Sequence, residues 1–375
     1  MQYSFGEIMQ QWLYGQNGYY HKAHIGKDFY TAVNVSRLFG GALARHIITL
    51  LESSQLTLPL HIIEIGAHHG ELMCDVYDFL GVLSVGVMEQ TRFSIIEPLE
   101  SLRIAARENL ATRAIAQVSD FDAVELGGGE SVFIFSNELF DAFACEVVRE
   151  AQGRTQMLCG VGEWQKVDSS EVDSKGLDSE GEEVDSSVVG KVDSRGSLRL
   201  EWCDMAALRH SGLAQRVQEV KRFMREYGLR TGEIPLAWEG FVRDLCSFAK
   251  RAKLWRFLSF DYAPLGSGGL SLRGFRAHRV LDFTEIMRDV SLLFGEIDLT
   301  YNVDFTLLER LFASNGAHKL FQSRLNALLV EFGIIELLQS LLEAYPSEYE
   351  SQALRVRQLL GGGLGEKFMG VCFSG

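Results

Sequence analysis

The stretch that most constrains this chain is residues 61–72, HIIEIGAHHGEL. Ile62, Ile63 and Ile65 supply an apolar run of strand length. Gly66 and Gly70 bracket a tight turn, and Glu71 stands where the first turn of a helix favours a carboxylate. Strand, sharp turn and helix, in that order, build the ligand pocket of a doubly wound α/β fold at the carboxyl ends of its strands. A glycine at such a turn lets backbone approach a ligand, because it has no Cβ. The spacing E-x-G-x-x-x-G is neither GxxxxGK[ST] nor GxGxxG, so the loop is not one of the common phosphate cradles. Glu64, just before the first glycine, suits a ligand that carries a cationic amine. A plain structural turn is the competing reading, since so short a pattern recurs by chance.

Further strand ends add polar groups. FSIIE, residues 93–97, is a second short apolar strand ending in an acid, followed by Pro98 and a helical run over 99–110. An acid twenty or more residues beyond the glycine loop can accept ribose hydroxyls. Glu97 can equally serve as a carboxylate at a helix N-terminus with Pro98 at the first helical position. A weaker strand over 114–118 ends at Ser119-Asp120, where Asp120 can meet an adenine amino group. SVFIF, residues 131–135, delivers SNELFDAF, residues 136–143, to the same edge. Asn137 lies nearest that strand, and Glu138 and Asp141 are the reactive candidates. Their plainer reading is an N-cap and first-turn acids, and the two roles can coexist. S-Adenosyl-L-methionine (SAM), with its amine, sulfonium and ribose, is a ligand that such an edge can hold.

The 375 residues, 47% of them hydrophobic, suffice for one large domain or a domain with a subdomain. The expected division is a helical cover over 1–52, a Rossmann-like core over 53–165, an inserted segment over 166–196, and the rest of the core with substrate-side helices over 197–375. A net charge of −14 argues against non-specific nucleic-acid binding, which needs basic surface. The six cysteines have no CxxC spacing and read as reduced thiols. His21/His24 and His68/His69 lack a completing ligand set, so no metal site is expected. The N-terminus shows no basic segment followed by an apolar run, and the most apolar stretch, 325–342, carries Glu331 and Glu336. No membrane span is expected, and the cytoplasm is the default location.

Residues 166–196 repeat VDSS, VDSK, LDSE, VDSS and VDSR with irregular spacers. Acidic, Ser-rich and poor in aromatics, they are expected to be a disordered insertion in a hairpin loop between strands at 146–150 and 198–202. WRFLSF, residues 255–260, reads as a strand ending at Asp261, and the Gly-containing segment 263–278 as a binding loop that includes His278. Helices are expected over 318–344 and 346–360, with a final edge strand over 367–373.

Six blocks in order resemble the MidA-type family of SAM-dependent methyltransferases: GKDFYT, EIGAHHGEL, IIEPLESLR, SNELFDAF, DYAP…SLRGFRAH and GEIDLTYNVDF. The resemblance spans nearly the whole chain outside the insertion. It implies an α/β fold with a Rossmann-like methyltransferase core, a mostly parallel sheet and added helical cover. It implies SAM bound at Glu64, Gly66, Gly70 and Glu97, with the NELFDAF block bordering cofactor and substrate. The family's best-characterised activity is symmetric dimethylation of a protein arginine in a respiratory complex I subunit. The family's loop usually reads E-x-G-P-G-x-G, whereas Ala67 and His68 stand here in place of the Pro and the middle Gly. A positive φ at that position would cost a histidine about 1 kcal/mol or more.

Methyl transfer from a sulfonium is an in-line displacement, so alignment is the enzyme's main task. A guanidinium acceptor needs carboxylates. Glu138 and Asp141 are the first choices, with Asp261, His278 and Asp298 as further pocket groups. The rival reading is a SAM-fold assembly or binding factor without catalytic power.

Overall fold

The computed structural model describes residues 1–22, 32–163, 198–264, 269–361 and 363–375. The GKDFYT block, the acidic repeats and part of the segment after Asp261 lie outside the described residues.

A seven-stranded sheet organises the chain. Its spatial order is His318–Arg324, Phe368–Ser374, Trp255–Tyr262, Ser131–Asn137, Leu60–Ile65, Thr91–Ile96, Ile115–Val118. The last five run parallel. Phe368–Ser374 is antiparallel to both neighbours. The central strands are apolar on both faces, as helix-covered parallel strands must be. Alternation along each strand divides the core in two. Ile62, Phe133, Phe135, Leu258 and Phe260 join one apolar cluster with helices Leu38–Glu52 and Glu71–Leu83. Ile63, Val132, Ile134 and Phe257 join the other, with Trp12 and Trp238.

A second, antiparallel sheet lies beyond the 3₁₀ turn Phe140–Ala142. Here the structure corrects the expected hairpin. Glu146–Ala151 and Arg199–Asp204 do not pair with each other; both pair with Arg154–Val161. Gln2–Ser4 adds to that same strand, so the start of the chain is a short strand before helix Phe5–Tyr14 rather than all helix. Ser4 and Glu7 close that helix with a reciprocal capping box.

Two further corrections concern the end of the chain. Residues 318–324 form a strand, not helix, and the helices there are Leu325–Glu331 and Ile334–Ala344. The alternation in HKLFQSR is weak, and the apolar run after it masks the boundary. Phe368–Ser374 is consequently an interior strand, which its buried, apolar composition suits. Among the described residues no single helix is long and apolar enough to cross a membrane.

Candidate active site

The carboxyl ends of the parallel strands open on a cavity of about 590 Å³. Glu64, Gly66, Glu97, Asn137, Glu138 and Asp141 all line it.

At one end is the glycine loop. Its backbone takes a positive φ at every second residue: 68° at Gly66, 51° at His68 and 74° at Gly70. His68 thus adopts the left-handed conformation that glycine would adopt at lower cost. A Cβ on Gly66 would meet the Leu139 side chain at 3.1 Å, and one on Gly70 would meet Leu110 at 3.0 Å. Gly70 caps helix Glu71–Leu83 without a side chain of its own. Glu64 reaches across from the strand instead, and its Oε2 accepts the Met73 N–H at 3.0 Å. The acid before the first glycine therefore supplies the missing helix cap while facing the cavity.

Glu97 combines both roles read for it. Its Oε1 accepts the Leu99 N–H at 3.1 Å, at the start of helix Glu100–Leu110, and its Oε2 accepts the His68 N–H at 3.2 Å. Each carboxylate oxygen retains a further lone-pair site. Burial pushes the carboxyl groups of Glu64 and Glu97 above the usual range, against the pull of these N–H donors.

The other end is acidic and aromatic. Segment 138–141 is not a continuous helix. Glu138 has φ 53° and donates its N–H to the Phe260 carbonyl, and only Phe140–Ala142 form a 3₁₀ turn. The Asn137 amide donates to the Glu138 carboxylate at 2.9 Å, while Asn137 Oδ1 is buried without a partner among the described residues. Asp141 accepts the Thr300 hydroxyl at 2.6 Å. Asp298 accepts the Tyr20 hydroxyl at 3.2 Å. The Tyr14 ring stacks on Tyr20 with centroids 5.2 Å apart, and its hydroxyl donates to the Ala142 carbonyl. Burial, then the charge of Asp141, pushes Glu138 well above the ordinary carboxylate range; burial also raises Asp141.

Four expected site residues lie elsewhere. Gly70 shapes the loop from behind. Asp261 is fully buried beneath the site and does not line the cavity. Asp120 is exposed and holds its own turn, accepting from the Ser119 hydroxyl and the Ala123 N–H rather than facing a ligand. His278 is exposed in the two-residue hairpin turn between Arg273–Arg276 and Arg279–Leu281, where Ala277 and His278 have φ 47° and 64°. Neither residue lines the cavity. Sequence reasoning missed Tyr14, Tyr20 and Thr300, which reach the site from segments distant from the strand ends; Thr300 lies in the GEIDLTYNVDF block, two residues after Asp298.

A mostly parallel seven-stranded sheet with the glycine loop and acids at its carboxyl edge is the architecture of SAM-dependent methyltransferases. Residues 42–322 match the profile of a family described as "putative S-adenosyl-L-methionine-dependent methyltransferase", and the chain belongs to that family. Two solved structures share the fold. One is a Burkholderia thailandensis protein bound to S-adenosyl-homocysteine, with TM-score 0.69 and 20% identity, covering 100% of this chain and 88% of that one. The other is a native crystal structure from the same organism, with TM-score 0.69 and 20% identity, covering 100% and 87%. Comparison with curated proteins gives no match.

The cofactor is SAM, and the residues present fit it. Gly66 keeps the loop clear where a Cβ would fill it, and Glu97 has lone pairs left for hydroxyls. Asn137 Oδ1 and His68 Nε2 are buried polar atoms with no partner among the described residues.

Proposed function

We propose that this chain transfers a methyl group from SAM to an arginine side chain of a protein, giving symmetric dimethylarginine. One observation carries the reading. The cavity beyond the glycine loop is walled by Glu138, Asp141 and Asp298, with Tyr14 and Tyr20 beside them. No Lys or Arg is among its described lining residues. A guanidinium presents paired donors and a flat cationic face, which carboxylates and aromatic rings accept.

In this reading Glu64, Gly66, Glu97 and Asn137 hold the cofactor, and Gly70 shapes the loop behind them. SAM supplies an electrophilic methyl group on a sulfonium. Glu138 and Asp141 bind the guanidinium and fix the attacking nitrogen. One of them takes the proton that this nitrogen gives up, and their raised proton affinity makes them stronger bases for that step. Asp261 acts beneath them as a positioning residue. The resemblance to MidA-type enzymes points to a respiratory complex I subunit as the acceptor.

The test is transfer of labelled methyl from SAM into extract proteins of cells lacking this gene, followed by hydrolysis and amino-acid analysis. Label in symmetric dimethylarginine is expected. Label in lysine, glutamine or a small molecule overturns the acceptor assignment. Cofactor binding with no transfer to any acceptor leaves the non-catalytic assembly factor as the reading.

A further inference from the structure

We propose that the His68 side chain is a cofactor-binding group that donates a hydrogen bond to the α-carboxylate of the methionyl part of SAM. The inference rests on the SAM reading of the site and deepens it at one residue.

His68 holds a strained, left-handed backbone at φ 51° and is one of the residues that line the cavity. Its Nε2 is buried and has no partner among the described residues. A buried ring nitrogen left without a partner costs stability, so a ligand that satisfies it recovers that cost. The ring is oriented by His69, with centroids 3.9 Å apart. Its backbone N–H is fixed on Glu97. The choice of carboxylate follows from the lining. Glu64, Glu71, Glu97, Glu138, Asp141 and Asp298 can meet the cationic groups of the ligand, whereas no described lining residue is Lys or Arg. The one anionic group of SAM therefore needs a neutral donor. Burial, with a smaller effect from His69, lowers the His68 pKa to about 3, which keeps the imidazole neutral with one N–H to donate.

The test compares two probes by titration calorimetry. S-Adenosyl-homocysteine carries the amino-acid end; 5′-methylthioadenosine carries the same nucleoside thioether without it. His68→Gly suits the left-handed backbone and removes the ring. It should weaken S-adenosyl-homocysteine about tenfold and leave 5′-methylthioadenosine within about twofold. His68→Asn, which tolerates the same backbone and keeps an N–H, should recover part of the loss. Unchanged or tighter S-adenosyl-homocysteine binding by His68→Gly overturns the proposal, as does an equal loss for both probes. A parent protein that binds neither probe overturns the SAM reading itself.

Discussion

Asp261 accepts the backbone N–H of Phe140 at 2.8 Å, and the same carboxylate oxygen accepts that of Leu139 at 3.1 Å. A fully buried acid on one strand thereby holds the turn that carries Glu138 and Asp141, which sits on the neighbouring strand's end. The turn has no regular helix to brace it, so its geometry depends on this carboxylate.

Asp261→Ala should leave the buried Phe140 N–H and the half-buried Leu139 N–H without this acceptor. A buried donor left unsatisfied costs about 1–3 kcal/mol, and a loss of that order is expected in urea unfolding. Methyl transfer should fall along with it. Unchanged stability would show that the turn stands without Asp261.

Gly66→Val should abolish cofactor binding. The backbone there has φ 68°, and even a single Cβ would press on Leu139 at 3.1 Å. A β-branched side chain adds strain in a left-handed conformation and fills the space beside the loop. Calorimetry with S-adenosyl-homocysteine checks this, and retained affinity would refute it.

Glu138→Gln keeps the shape and removes the charge. Labelled methyl transfer to protein arginine should fall at least about a hundredfold, roughly 2.7 kcal/mol. Cofactor affinity should change by less than about 1 kcal/mol.

The pH behaviour of Glu138 separates its two effects. Its raised pKa means that the ionised form appears only above the usual carboxylate range, so kcat/KM of the parent should drop as pH falls through that raised value. Stability runs the other way. The folded state holds this proton where the unfolded chain has lost it, so the parent loses stability as pH rises above the unfolded value. The melting-temperature advantage of Glu138→Gln should therefore grow with pH.

His46 gives an opposite slope. Its ring stacks on Phe332 at 3.9 Å, and burial with the nearby Arg256 charge lowers its pKa to about 4. The unfolded chain takes up this proton near pH 6.5, so the stability His46 contributes is lost as pH falls from there towards 4. His46→Phe should gain on the parent over that window in urea titrations. A constant difference between pH 7 and 4 would show that His46 does not titrate on unfolding.

Residues 61–72 disclosed strand, loop and helix because apolar run, glycine pair and first-turn acid all agree locally. Glu64, Gly66, Glu97, Asn137, Glu138 and Asp141 were legible for the same reason: each sits at or just beyond the carboxyl end of an apolar strand, and parallel strands bring those ends to one edge. His278 and Asp120 misled because exposed turns use the same residue types as sites do. Tyr14, Tyr20 and Thr300 were hidden because contact between residues so far apart in sequence leaves no periodic trace. The strand His318–Arg324 was lost for a related reason: its pairing partner lies downstream, and its own alternation is poor.

The position of Phe368–Ser374 between two earlier strands has a consequence for synthesis. A chain that emerges N-terminus first exposes Trp255–Tyr262 and His318–Arg324 well before the strand that joins them. Until residue 374 is available, the sheet that carries the cofactor loop has an open, apolar edge beside Trp255–Tyr262. Such an edge is a template for pairing with another nascent chain. A chain stalled before Phe368–Ser374 is thus more aggregation-prone than one that has added that strand, and is a natural client for a chaperone.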